Sequence, residues 1–214
     1  MADATGIRRR RALIKLGLGI AVWLPAAVTA VRFFTGGLGA NPIAEALNTL
    51  GLWTLIALLA SLACTPLNIV LGWKWPLAMR RMLGLSAFAY GCLHFLMYVG
   101  VDQFFDWPLI LQDVVKRKFM TVGFLALLLM LPLAVTSTNK MVKRLGFPRW
   151  KRLHRLVYLA AALGVVHFVW RVKADTREPF MYGFVLLVLL AVRLVPRFRP
   201  RREPRASRSP ASSA

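Results

Sequence analysis

Three histidines are the side chains of this 214-residue chain best suited to chemistry. His94, His154 and His167 all fall in or at the ends of long apolar stretches, and none lies in a polar loop or in the C-terminal tail. An ionisable group inside hydrocarbon needs a partner and marks a functional position by default. A neutral imidazole offers one nitrogen lone pair and one N–H, which suits it to axial ligation of haem iron. Hydrogen bonding between helices and proton conduction are the other uses open to such residues.

Spacing sorts the three into levels. His94 lies roughly 12 residues into one apolar stretch and His167 roughly 14 into another, a similar depth at ~1.5 Å per residue. The two stretches run in the same direction, so their imidazoles can hold one haem between them. His154 stands about 20 Å lower, at the other end of the helix that carries His167. That is the separation two stacked haem levels need. The matching lower positions on the His94 helix are Arg80 and Arg81, and guanidinium has no lone pair to give a metal. Arg80 is therefore assigned to a haem propionate or a phosphate-bearing cofactor, with a topological anchor as its other reading. On an ideal helix His154 is roughly 140° out of register with His167. A kink, a π-bulge or a place on the helix's first turn would absorb the difference.

The elements that must position these residues are membrane helices. Apolar residues make up 58% of the chain, charged ones only 17%, and the mean hydropathy is +0.59 despite a net charge of +21. A chain this apolar is neither a disordered basic segment nor a nucleic-acid-binding domain. Six stretches approach the roughly 20 residues that cross a bilayer: Ala12–Val31, Leu50–Leu71, Met82–Val101, Phe119–Val135, Leu153–Val172 and Phe180–Val195. The expected fold is an all-α integral membrane bundle of six transmembrane helices. No soluble domain fits between them, and no Gly-rich phosphate loop or dinucleotide fingerprint is present. Gly17 and Gly19 lie inside an apolar helix, the wrong context for a nucleotide. Electrons must come from a separate donor or a lipid-soluble quinol. No catalytic residue is read from the sequence itself.

Charge sets the orientation, because Lys and Arg concentrate on the cytoplasmic side. With the N-terminus inside, 22 of the 29 basic residues face inward, from Arg8–Arg11 through Lys140–Arg155 to the tail arginines. Six of the eight acids face outward: Glu45, Asp102, Asp106, Asp113, Asp175 and Glu178. Both termini are then cytoplasmic, with a basic segment at 1–11, a membrane domain at 12–195 and a basic disordered tail at 196–214. The inner basic face suits anionic lipid and the docking of an acidic donor. Val28-Thr29-Ala30 after the first apolar run also resembles a signal-peptide cleavage site. Trp53, Trp107 and Trp170 are expected near outer helix ends and Trp73, Trp75 and Trp150 near inner ones, with Trp23 the exception. Cys64 and Cys92 are expected to pack as small hydrophobes. Asp102 and Asp106 are read as loop solvation or as an acidic docking edge.

The segment Arg80-Arg81-Met82-Leu83-Gly84-Leu85 through Tyr90 to Leu93-His94 resembles the third helix of the ferric-reductase-like transmembrane family. Trp150-Lys151-Arg152-Leu153-His154-Arg155-Leu156-Val157-Tyr158 with Val166-His167-Phe168 resembles its fifth, and Leu131-Pro132-Leu133-Ala134-Val135-Thr136-Ser137-Thr138-Asn139 is similar too. The likeness covers about residues 10 to 196. It is closest to the haem-binding membrane subunits of periplasmic methionine-sulfoxide reductase systems. The resemblance implies one or two b-type haems held by His94, His154 and His167, FMN at a site no motif identifies, and a bacterial inner-membrane location. It implies a periplasmic molybdopterin reductase as heterodimeric partner and the quinone pool or a cytoplasmic flavin reductase as donor. A quinol-linked cytochrome b serving another periplasmic oxidoreductase, and a haem-free transporter, are the other functional readings.

Overall fold

Apolar runs without period-2 alternation leave the backbone to satisfy its polar groups within one segment, which in hydrocarbon means helix. The computed structural model describes residues 2–172 and 175–194, and all regular structure among them is helical. Helix α1 covers Ala2–Phe34, α2 Pro42–Leu71 and α3 Trp75–Met97, the last continuing as a π-helical turn at Tyr98–Asp102. Next are the short α4, Trp107–Lys116, the membrane-length α5, Lys118–Val135, and two further short helices, α6, Asn139–Leu145, and α7, Phe147–Leu153. Then come α8, Leu156–Arg171, and α9, Arg177–Leu194.

Five of these are long and apolar enough to cross a membrane: Ala12–Phe34, Pro42–Leu71, Trp75–Asp102, Lys118–Val135 and the α7–α8 unit Phe147–Arg171. These correspond to the first five of the six expected stretches. The sixth stretch forms a helix, α9, but carries Arg177, Glu178 and Arg193 within its 18 residues and does not join the five. Val195, Lys173 and the tail at 196–214 lie outside the described residues. The large apolar residues on the outside of the bundle, such as Leu16, Ile20, Leu96, Leu128 and Leu187, are exposed in the way lipid-facing residues are.

Helix ends depart from the apolar runs for local reasons. α2 starts eight residues before the expected Leu50 because Asn41 caps it, its side chain accepting from the Ala44 N–H at 3.1 Å, with Pro42 in the first turn. The hydropathy pattern alone does not predict α4. Asp106 caps it by accepting from the Leu109 N–H at 3.1 Å, and Pro108 follows at the helix start. Gly72, at φ 68°, ends α2 in the left-handed conformation that suits glycine. The fifth span is broken between α7 and α8, and His154 sits on the connecting turn. That places His154 on the turn that enters α8, one of the three expected arrangements.

Small residues let the helices close on one another. Ala87 and Ala161 are fully inaccessible, and Ala160 and Ala57 nearly so, in a core shared with Leu55, Leu58, Leu62, Met130 and Leu186. A second core holds α1 against α2 and α3 around Tyr90, which has no exposed surface. Its hydroxyl donates to the Val22 carbonyl at 2.6 Å and accepts from the Ala26 N–H at 3.2 Å, so it is inserted into the α1 ladder beside Pro25. Trp23 stacks on its ring at 5.1 Å and Trp53 lies 6.5 Å away. Trp23 is thus a packing residue, and Trp53 lies in the interior of α2 rather than near its end. Tyr90→Phe is expected to cost about 1–3 kcal/mol, since the ladder groups lose a buried partner. A lower thermal midpoint of the purified protein would show it.

Cys64 is buried and Cys92 half-buried, and both are free thiols. Cys64 donates to the Ala60 carbonyl of its own helix at 3.3 Å, which fits the packing role.

Candidate functional site

His94 comes from α3 and His167 from α8, and the bundle brings their rings to 6.3 Å between centres with planes at 83°. The depth argument placed them at one level, and they are neighbours. Both line one largely apolar cavity of about 310 Å³ between α2, α3, α5 and α8, within the roughly 300–1,000 Å³ of cofactor pockets.

Each imidazole is locked by its Nδ1. His94 Nδ1 is 2.9 Å from the Leu47 carbonyl, and His167 Nδ1 is 2.7 Å from the Phe119 carbonyl. A carbonyl oxygen only accepts, so both nitrogens are N–H donors and both Nε2 atoms carry the lone pair. Neither Nε2 has a hydrogen-bond partner among the described residues. A backbone carbonyl fixing the tautomer of a metal-binding histidine is the usual supporting arrangement.

The acceptors are reachable because of two glycines that sequence reasoning missed. In an α-helix the side chain at i+4 leans back over the carbonyl of residue i. Four residues after Leu47 stands Gly51, and four after Phe119 stands Gly123. A Cβ at Gly51 would come within 3.1 Å of His94 Cε1, and one at Gly123 within 2.5 Å of His167 Nδ1. The same device is used twice, once on each side of the cavity. Its only sequence trace is a glycine inside an apolar helix, which does not by itself reveal what lies opposite.

The fit to a shared metal can be judged from these distances. Two imidazoles bound coaxially to one metal, each by a bond of about 2 Å, have ring centres roughly 6–6.5 Å apart. The observed separation falls there, the donor set is two neutral nitrogens, and the surroundings are apolar. These residues fit a bis-imidazole haem.

The rim of the cavity at the Arg171 end is polar. Arg171, one turn beyond His167, donates to Asn48 Oδ1, the residue after Leu47. Arg117 pairs with Asp113 at 2.9 Å, and Tyr98 in the π-turn donates to the same carboxylate at 3.1 Å. Asp113 is buried, and its hydrogen bond from Tyr98 ties α4 to the end of α3, while Arg117 neutralises it from the C-terminal end of α4 itself. Asp102 ends the π-turn and accepts from Gln103 Nε2 at 2.8 Å, while Asp106 is the cap of α4. Both carboxylates therefore have local structural work.

His154 is held differently. Its ring stacks on Trp150 at 3.9 Å, its Nδ1 lies 3.1 Å from the Trp150 carbonyl, and its Nε2 is 3.4 Å from Ser137 Oγ. The Ser137 hydroxyl is closer to the Leu133 carbonyl, at 2.6 Å. Arg80 and Arg81 lie within electrostatic reach of His154. Arg81 donates to Asn139 Oδ1 at 2.9 Å, whereas the Arg80 side chain has no hydrogen-bond partner among the described residues. Arg193, counted with the tail by charge alone, lies on the last turn of α9. There it sits 5.2 Å over the Tyr158 ring and donates to the Leu62 carbonyl.

Fold and site together define an all-helical membrane protein whose spans present a matched pair of imidazoles to one apolar cavity. A family model described as "Ferric reductase like transmembrane component" matches residues 48–165, which hold His94 and His154 and end two residues before His167. The "Protein-methionine-sulfoxide reductase heme-binding subunit MsrQ" of Rhodospirillum rubrum is 53% identical over 206 residues, covering 96% of this chain and 99% of that protein. The protein of the same description from Herminiimonas arsenicoxydans is 51% identical over 184 residues, 85% of this chain and 84% of the relative. The chain belongs to the ferric-reductase-like transmembrane family, in its MsrQ branch.

Proposed function

We propose that this chain is a membrane cytochrome b that carries electrons across the bacterial inner membrane to a periplasmic molybdopterin reductase of methionine sulfoxide. The observation that supports it most directly is the His94–His167 pair, with both tautomers set and both Nε2 lone pairs left for a metal. The relatives' printed description as haem-binding subunits of a protein-methionine-sulfoxide reductase agrees with that chemistry. When bound, haem supplies a one-electron couple. This chain holds its axial positions, excludes water with an apolar cavity and sets its orientation.

In this reading six helices cross the membrane with both termini inside, α9 included, and the segments are a basic inner N-terminus at 1–11, a membrane domain at 12–195 and a basic tail at 196–214. His94 and His167 serve the outer level. His154 serves an inner one, with Arg80 turned to its carboxylates or to a cofactor phosphate. Electrons enter from quinol or a cytoplasmic flavin reductase. The partner consumes two electrons and two protons per sulfoxide, releasing thioether and water. FMN comes with the family likeness, and no residue of this chain is assigned to it.

Purified full-length protein is expected to show a b-type spectrum that a quinol reduces. Addition of the periplasmic reductase and a methionine-sulfoxide peptide should reoxidise it. Absence of a Soret band would overturn the cytochrome reading in favour of a haem-free transporter. Reduction without reoxidation by that partner would point to a different periplasmic oxidoreductase. Two haems per chain by pyridine haemochrome would support the inner level, and one would remove it.

A further inference from the structure

Arg171 is the side chain of the outer cavity that the ligation scheme leaves without a role. It lines the cavity together with both histidines. It stands four residues after His167 on α8, hence on the same helix face and one turn further out. Its guanidinium donates to Asn48, and the residue before Asn48 supplies the carbonyl that holds His94. Arg171 therefore bridges α2 and α8 just beyond the imidazole pair.

Charge distinguishes it from the other rim groups. Arg117 is neutralised by the buried Asp113, which also accepts from Tyr98. Asp102 lines the same rim, but its carboxylate is engaged by Gln103 and forms no ion pair with Arg171 among the described residues. Among the described residues, the Arg171 guanidinium hydrogen-bonds only to the neutral Asn48 amide. A half-buried guanidinium beside an apolar cavity gains most from an oxyanion that can take its free N–H groups.

We propose that Arg171, held in place by Asn48, binds a propionate carboxylate of the outer haem and so directs that edge of the haem toward the outer face. The proposal rests on His94 and His167 being the axial pair. A guanidinium suits the role because it offers parallel N–H groups to a carboxylate and stays charged. Fixing the propionate edge outward also puts the shortest route off the haem on the side where an acceptor docks.

The test uses full-length haem-loaded protein in detergent and two readouts besides turnover. In a potentiometric titration Arg171→Gln is expected to retain the bis-imidazole spectrum and to move the outer haem's midpoint to a more negative value. Losing a nearby cation favours the more positively charged ferric state. In resonance Raman spectra the propionate bending band should fall in frequency while the porphyrin marker bands stay in place. If Arg171→Gln does not retain haem, Arg171→Lys carries the test, because exchanging the planar fork for an ammonium must still move the propionate band. A shifted midpoint with an unmoved propionate band would overturn the contact, and so would both readouts unchanged. The histidine substitutions report separately on ligation. If they leave the spectrum intact, the ligation reading fails. If they abolish it while the Arg171 readouts stay still, this proposal alone fails.

Discussion

His94→Ala and His167→Ala should each remove the outer haem, seen as loss of its share of the b-type absorbance in purified protein. Each substitution deletes one of two lone pairs that the fold sets at a single level. The reason to expect loss rather than replacement is the lining. Besides the histidines, the cavity lining offers Tyr98, Met120 and Met130 as possible ligands. Tyr98, however, is bonded to Asp113, Met130 is packed in the main core and Met120 packs against the Tyr98 cluster. The effect should also be symmetric, because both imidazoles use the same carbonyl-and-glycine support. His154→Ala should leave the outer absorbance in place, because its ring belongs to the Trp150–Ser137 cluster at the other end of the span. Haem per chain and the reduced-minus-oxidised spectrum of the three variants measure this directly. An intact outer spectrum in either His94→Ala or His167→Ala would sink the axial assignment.

What could be read from the sequence follows from which interactions are local. Apolar length gave the existence and direction of the spans, and 1.5 Å per residue then placed His94 and His167 together, because a rise along a helix axis is insensitive to packing detail. Rotation was not readable. The helix that carries His154 and His167 breaks between α7 and α8, and nothing in Arg152-Leu153-His154-Arg155 announces the break. The caps were readable but overshadowed by hydropathy: Asn41-Pro42 and Asp106-Trp107-Pro108 each carry a helix-start signature before the apolar run begins. The Tyr98–Asp113 hydrogen bond joins the π-turn to α4 and belongs to the fold rather than to any segment, whereas Asp113–Arg117 is an i,i+4 pair local to α4. Arg193 shows the same limit. Charge counting put it in the basic inner set, while its position over Tyr158 comes from α9 lying against α8.

Gly123→Ala is the sharpest way to test whether the helix carbonyls hold the histidines. By helix propensity alone the change should stabilise α5 by up to about 1 kcal/mol. The added methyl, however, would lie 2.5 Å from His167 Nδ1 and 2.7 Å from its Cε1, distances no packed pair tolerates. Either the ring swings away from the Phe119 carbonyl or α5 and α8 separate. Overpacking of this kind costs about 1–3 kcal/mol. In both cases His167 loses the hydrogen bond that fixes its tautomer, and loss of such a support weakens metal retention roughly 10- to 100-fold. Gly51→Ala makes the graded control, since its Cβ would stop 3.1 Å from His94 and a few tenths of an ångström of relaxation could relieve it. Haem occupancy after purification should therefore fall from wild type to Gly51→Ala to Gly123→Ala, while helix content by circular dichroism stays level. Full occupancy in Gly123→Ala would mean that the Phe119 carbonyl is not what sets His167 for its ligand.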